Sequence, residues 1–139
     1  MATFTKYNQF VGDLGLGVHN LNTGVLKVML SNTAPNVATH VVRADVTEIA
    51  GGNGYTSGGT AISNTYSQTG GTGTCTASDV TFTASGGSIG PFRYAIVYND
   101  TPTSPADPLI GYYDYGSSIT LATGESLLVD FTTSVFTIA

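Results

Sequence analysis

Between Ser88 and Phe131 the chain alternates short apolar or aromatic runs with turn-forming residues, and this rhythm constrains the fold more than any other feature. FRYAIVY (Phe92–Tyr98) leads through the polar loop NDTPTSPADP to LIGYYDYG (Leu109–Gly116). SITL (Ser118–Leu121) follows and, past a turn at Ala122–Gly124, SLLVDF (Ser126–Phe131). The runs have strand length and strand composition, and Pro, Gly, Asp, Asn and Ser punctuate them. The stretch reads as an antiparallel β-meander.

The flanking sequence fits the same plan. VLKVMLS (Val25–Ser31) places Leu26, Val28 and Leu30 on one face and Val25, Lys27 and Met29 on the other, a mostly buried strand with Lys27 reaching a rim. Pro35 ends it. Val41–Ala50 mixes β-branched residues with Asp45 and Glu48 and reads as a short helix or turn. Gly51–Gly73 has the composition of a flexible linker, but Ala61–Ser67 carries enough β-branched and aromatic character for an edge strand. Cys75–Thr83 alternates, with Val80 and Phe82 pointing one way and Thr81 and Thr83 the other, as a half-buried strand, and Ser134–Ala139 forms a last strand with Phe136 and Ile138 on one face. At the N-terminus Phe4, Tyr7, Phe10 or Val11, and Leu14 recur at helical spacing. Thr5 could cap this helix, while Gly12, Gly15 and Gly17 each weaken it by up to about 1 kcal/mol. It is either a cover for the core or an arm that orders against a partner.

These elements make an all-β chain of about eight strands: a jelly-roll-like antiparallel β-sandwich with a short N-terminal helix or arm, in a single domain over residues 1–139. A chain of 139 residues buries roughly 68–70% of its unfolded surface, so the core needs no staples. The single cysteine, Cys75, excludes an internal disulfide framework and a Cys-based zinc cage. Charged residues are 9% of the chain, against about 25% in a typical soluble domain. With 41% apolar residues, the shortage does not signal disorder. It signals a surface of Thr, Ser, Asn, Gly and Tyr, suited to permanent assembly or exposure outside the cell. Net charge is −5 and the four basic residues, Lys6, Lys27, Arg43 and Arg93, are scattered, which argues against nucleic-acid binding. No run approaches a membrane span of about 18 apolar residues, and the first residues lack the pattern of a signal peptide. Synthesis in the cytoplasm is the expectation.

No pattern points to an enzyme or a cofactor. Gly86–Gly90 matches the letters of the nucleophile elbow, but Pro91 and a strand follow where a helix is needed, and His19 and His40 precede Ser88. Gly52–Gly54 and Gly71–Gly73 lack the lysine and helix of a phosphate loop and read as turns. His19 and His40 lack metal-ligand spacing and read as loop or rim residues. Asp100, Asp107 and Asp114 lack the ladder of a calcium loop and read as turn stabilisers. The tyrosines are the feature with functional potential. In GYYDYG, Tyr113 and Tyr115 share one face, and Tyr112 shares the other with Asp114. Unless both faces are covered, one set meets a partner, since exposed Tyr suits protein interfaces and sugar-binding surfaces.

The runs KYNQFVGDLGLGVHNL (Lys6–Leu21), VLKVMLSNTAP (Val25–Pro35), GGSIGPFRYAIVYNDT and LIGYYDYGSSITLATGESLLVDF resemble the capsid decoration, or cement, proteins of tailed bacteriophages that accompany an HK97-like major capsid protein. The resemblance covers most of the chain, best over Gly86–Phe131 and least over Gly51–Gly73. It implies a jelly-roll sandwich, often dimeric, on the virion exterior where capsomers meet, with no enzymatic activity and no cofactor. The expected role is to bridge major capsid protein subunits and hold the head against the pressure of packaged DNA. On this reading Phe4, Tyr7 and Phe10 form a capsid-binding arm, and Tyr112, Tyr113 and Tyr115 provide self-association contacts in a homo-oligomer. The alternative is a carbohydrate-binding or adhesion module of a tail fibre or spike.

Overall fold

The structure, a computed structural model, describes residues 2–131 and 133–139. Along the chain come β1 (Phe4–Lys6), α1 (Asn8–Gly15), β2 (Leu26–Ser31), a single 3-10 turn (Arg43–Asp45), β3 (Thr60–Ala61) and β4 (Thr65–Thr69). There follow β5 (Thr72–Thr76), β6 (Val80–Thr83), β7 (Ile89–Asn99), β8 (Leu109–Leu121), β9 (Ser126–Val129) and β10 (Phe136–Ile138). Every pairing is antiparallel. A five-stranded sheet runs in the order β1-β8-β7-β2-β3, a three-stranded sheet in the order β10-β5-β4, and β6 pairs with β9 as a ribbon.

The small sheet and the ribbon together form the second layer. Leu26, Val28 and Leu30 of β2, with Phe92, Ala95 and Val97 of β7, meet Cys75, Val80, Phe82, Val129 and Phe136 in one buried cluster. The fold is therefore all-β and sandwich-like, with one short helix near its N-terminus. The pairs β7–β8, β6–β9 and β5–β10 are nested in sequence, each enclosing the one before. A long hairpin rolled onto itself has this connectivity, and a jelly roll is built on the same plan.

The strand count and the meander both change. Ten strands form among the described residues where about eight were expected: β1 and β3 are only three and two residues long, and the expected Cys75–Thr83 strand divides between the end of the five-residue β5 and β6. LIGYYDYG and SITL are one strand, β8, bent in two places. Tyr98 pairs with Leu109 and Val97 with Gly111, so Ile110 is an extra residue, turned toward the inner cluster. Farther on, Phe92 pairs with Ile119 but Tyr94 pairs with Asp114, so Tyr115–Ser118 bulge out of the ladder. Gly116, at φ 86°, supplies the positive φ that this bulge needs. SLLV does not extend the meander. It pairs with Val80–Thr83, in a register that sets Val129 opposite Val80 and Leu127 opposite Phe82. That register stacks the apolar side chains of two half-polar strands on one face, which pairing with β8 would not do.

The main sheet is buried on both faces. On the outer face Met29, Tyr94, Ile96, Tyr98 and Leu109 form a second cluster with Tyr7 and Val46, and Tyr112 packs against it. Its cover includes irregular chain around the 3-10 turn, which matches the short helix or turn expected over Val41–Ala50. Gly51–Gly73 is not a simple linker: it supplies β3 and β4, and Tyr55 and Ile62 are buried.

Candidate functional site

The densest polar cluster lies on the outer face and is built around Glu48. Its Oε1 accepts from the Tyr55 hydroxyl at 2.7 Å and from the Gly58 N–H at 2.5 Å, and its Oε2 accepts from Arg43 Nη2 at 2.9 Å and from Ser57 Oγ at 3.2 Å. Burial opposes ionisation of this carboxyl, but the hydrogen bonds from Tyr55, Arg43 and Gly58 outweigh it and hold the group below its ordinary range. Arg43 also lies 3.8 Å from Asp107 and over the ring of Tyr98, whose hydroxyl donates to Gly58 O at 2.5 Å. Burial raises Tyr98 to about 12. Asp107 is likewise raised, by burial and then by its neighbour Asp100. The acceptor positions of Glu48 are thus spent on the chain's own donors. The cluster pins the loop at residues 55–58 to the sheet, and in the pocket beside it, about 300 Å³ between Arg43, Val46, Glu48 and Asp107, both Glu48 oxygens are already engaged.

Of the three sequence-predicted aspartates, Asp100 and Asp107 are neighbours, while Asp114 is held by separate partners. Lys27 holds Asp100 at 2.9 Å, Arg43 neighbours Asp107, and Arg93 grips Asp114 through two nitrogens at 2.7 and 3.0 Å. The Arg93 hydrogen bond, with a second from Gly116 N–H, holds Asp114 below the ordinary range. Among the described residues no three His, Cys, Asp or Glu side chains are placed to share a metal ion. Ser88 sits in the turn before β7, and its carbonyl accepts from Asn53 Nδ2. His40 caps a loop turn, its Nδ1 accepting from Asn36 N–H at 3.2 Å.

His19 is not a rim residue. It is 9% exposed, packs edge-on against Phe10 and lies 3.1 Å from Asn99 Nδ2. Burial lowers its pKa and the nearby Asp13 carboxylate opposes that shift. Its Nε2, Asp13 Oδ2 and the Tyr7 hydroxyl are buried without a hydrogen-bond partner among the described residues.

The arm expected from Phe4, Tyr7 and Phe10 is folded into the protein itself. Phe4 is on β1 opposite Tyr113, its ring 5.4 Å from that of Tyr113 and stacked 5.5 Å from Phe136. A side chain on Gly111 would collide with the Phe4 ring, so β1 docks where β8 has a glycine. Tyr7 is fully buried on the outer face, its N–H donating to Ile110 O, and Phe10 is 2% exposed against Phe136. The cause is apolar burial: three large rings at this spacing find cover on β8 and β10 without a partner. The helix between them begins at Asn8, two residues after β1 ends, with no side-chain cap, so Thr5 is strand rather than cap.

The tyrosine faces are as the alternation requires. Tyr113 (7% exposed) and Tyr115 pack on the inner cluster, where the Tyr113 hydroxyl donates to Val135 O. Tyr112 is half-buried on the outer face, its ring 5.7 Å from Tyr7 and 6.0 Å from Tyr94. Both faces of GYYDYG are therefore covered largely from within. Bare apolar surface lies elsewhere, at Leu16 (80% exposed) and Val11 (56%) on and just after α1, and at Leu128 (52%) on β9. Val11 borders an open groove of about 600 Å³ between β1, α1 and β10. Sequence reasoning overlooked that surface. Its signal was an apolar residue between two glycines, in Gly15-Leu16-Gly17, where no core position would be left so unsupported.

No protein family, no curated protein and no solved structure matches the chain.

Proposed function

We propose that this protein is a virion structural component that decorates and cements the exterior of a phage capsid. It bridges neighbouring subunits of an HK97-like major capsid protein, as a homo-oligomer with a dimer as the simplest form, after synthesis in the host cytoplasm. The observation that carries this reading is the surface. The whole chain has only nine acidic and four basic side chains in 139 residues, one of the acids, Asp13, is buried, three of the four basic ones are held in ion pairs, and a two-layer body leaves bare apolar residues at Val11 and Leu16. Such a surface suits lasting contact with protein more than free circulation. The runs that resemble decoration proteins supply β1 from Lys6, α1, β2, β7, β8 and β9. A rigid body set across two subunits adds interface area, of which a stable contact needs roughly 1,200–2,000 Å², and repetition over a shell multiplies modest affinities.

Heads prepared with and without the protein test this reading. Those lacking it release DNA at lower temperature, and adding the purified protein back restores the difference. Equal heat stability of the two preparations overturns the cementing role.

A second reading, a carbohydrate-binding module of a fibre or spike, has one observation in its favour. A cleft of about 590 Å³ is lined by Tyr115 and Leu128, with Asp114 and Asp130 among its residues. A tyrosine ring along an open cleft suits a sugar. Glycan-array binding lost in Tyr115→Ala, with a few copies per particle at the tail, would favour it, whereas hundreds of copies on the head favour cement.

A further inference from the structure

On one side of the sandwich both sheets end in a strand with a bare backbone edge. β1 pairs only with β8, and β10 pairs only with β5, so each has a row of N–H and C=O groups without a strand partner among the described residues. The two strands line the same open groove, whose floor is Phe4, Phe10 and Phe136 and whose wall is Val11 and Leu14 of α1. An exposed edge beside an apolar floor is a template for an added strand: the backbone supplies affinity, and the pockets beside it choose alternate side chains.

The charge at the rim narrows the occupant. Lys27 pairs with Asp100, Arg43 with Glu48 and Asp107, and Arg93 with Asp114. Lys6 is the one basic side chain without an ion pair among the described residues, and it lines this groove. In a chain so poor in charge, an unpaired cation beside an apolar floor favours a segment that brings a carboxylate. A second copy meeting the groove about a two-fold axis would bring the same patch. The lining of that patch contains no Asp or Glu to meet Lys6.

We propose that the groove between β1, α1 and β10 receives an extended, alternately apolar segment of another protein, which adds as a strand to an open edge and sets an acidic side chain against Lys6. The proposal does not depend on the virion reading. The comparison of heads can fail while the groove still takes its strand, and the reverse is also possible.

The test selects peptides of about a dozen residues from a random displayed library on the full chain. The enriched peptides alternate apolar residues and carry at least one acid. Their binding slows amide hydrogen exchange over residues 4–6 and 136–139, and Lys6→Glu weakens it several-fold to about tenfold at low salt, a loss that shrinks at high salt. Val11→Asp, a change at an exposed position, weakens it as well. Three outcomes overturn the proposal: no enrichment, protection at another surface, or indifference to Lys6→Glu. Protection of the same amides that grows with protein concentration in the absence of peptide also overturns it, since the occupant is then a second copy.

Discussion

The two faces of the five-stranded sheet solve the same problem in different ways. The inner face is covered by other strands, and its contacts are apolar side chains interdigitating between layers: Leu26, Val28, Phe92 and Val97 against Cys75, Phe82 and Phe136. The outer face, with Met29, Ile96, Tyr94 and Tyr98, is covered in part by irregular chain around the 3-10 turn, where Val46 packs on it before Ile49 and Tyr55 turn to the inner cluster. Short turns satisfy only part of this chain's backbone, and side chains complete it: Glu48 accepts from the Gly58 N–H, the Tyr98 hydroxyl donates to Gly58 O, and Asp45 Oδ2 accepts from the N–H groups of Val41 and Val42. The inner layer is stabilised mainly by area and the outer cover by charge-assisted hydrogen bonds. They should fail under different insults.

The largest effect is expected from cutting the inner layer. Phe92 is fully buried, and Phe92→Ala should lower unfolding stability by about 3–5 kcal/mol, read from urea denaturation, with protection lost in both layers together. A loss below about 1 kcal/mol would mean that the layers are not one cooperative unit. Removing the charge of the outer clamp comes next. Glu48→Gln keeps the size but leaves the donors of Tyr55, Gly58 and Arg43 with a poorer acceptor, at a cost of about 1.5–3 kcal/mol. Hydrogen exchange should accelerate first at residues 50–59, while β5 and β7 stay protected. Uniform acceleration would contradict the division into two kinds of cover.

Acid should separate the regions in sequence. His19 has a folded pKa below its ordinary value of 6.5, so between the two values the unfolded chain binds the extra proton and stability falls as pH drops. Glu48 is also lowered, from 4.5. Its contribution is present above that value and is lost as pH falls through the folded one. Asp107 is raised by burial and opposes this, because its protonation favours the folded chain. Denaturation midpoints should thus begin to fall below about pH 6.5 and fall further in the carboxylate range. His19→Gln should remove the first decline and spare the second. A variant that keeps the first decline would assign it to another group.

The smallest effect has the opposite sign. The Tyr7 hydroxyl is buried without a hydrogen-bond partner among the described residues, and its ionisation is pushed far up by burial. Tyr7→Phe should be neutral or stabilising by up to about 1 kcal/mol, measured as a thermal midpoint. A clear loss would show that the hydroxyl is bonded in solution.

Particular residues show where the sequence could be read. Leu26, Val28 and Leu30 were legible as an inner face because strand geometry alternates side chains, and Val80 with Phe82 for the same reason. The partner of SLLV was not legible, since alternation says which face is apolar but not which strand lies beside it. Nor was the fate of Phe4, Tyr7 and Phe10: spacing shows that the rings share a need for cover, and only the position of Gly111 and Phe136 in space shows that the chain provides it. Glu48 carried no pattern, because its donors come from the separate positions 43, 55, 57 and 58.

By itself, then, the sequence determined a β-rich chain, its alternating faces and its shortage of charge, all of which depend on local periodicity and composition. Tertiary structure alone decided that both faces of the main sheet are covered, that His19 is buried, and that Lys6, without an ion pair among the described residues, lies at a groove between two open edges. Those outcomes depend on which distant segments meet, and a pattern with a period of two residues does not encode that.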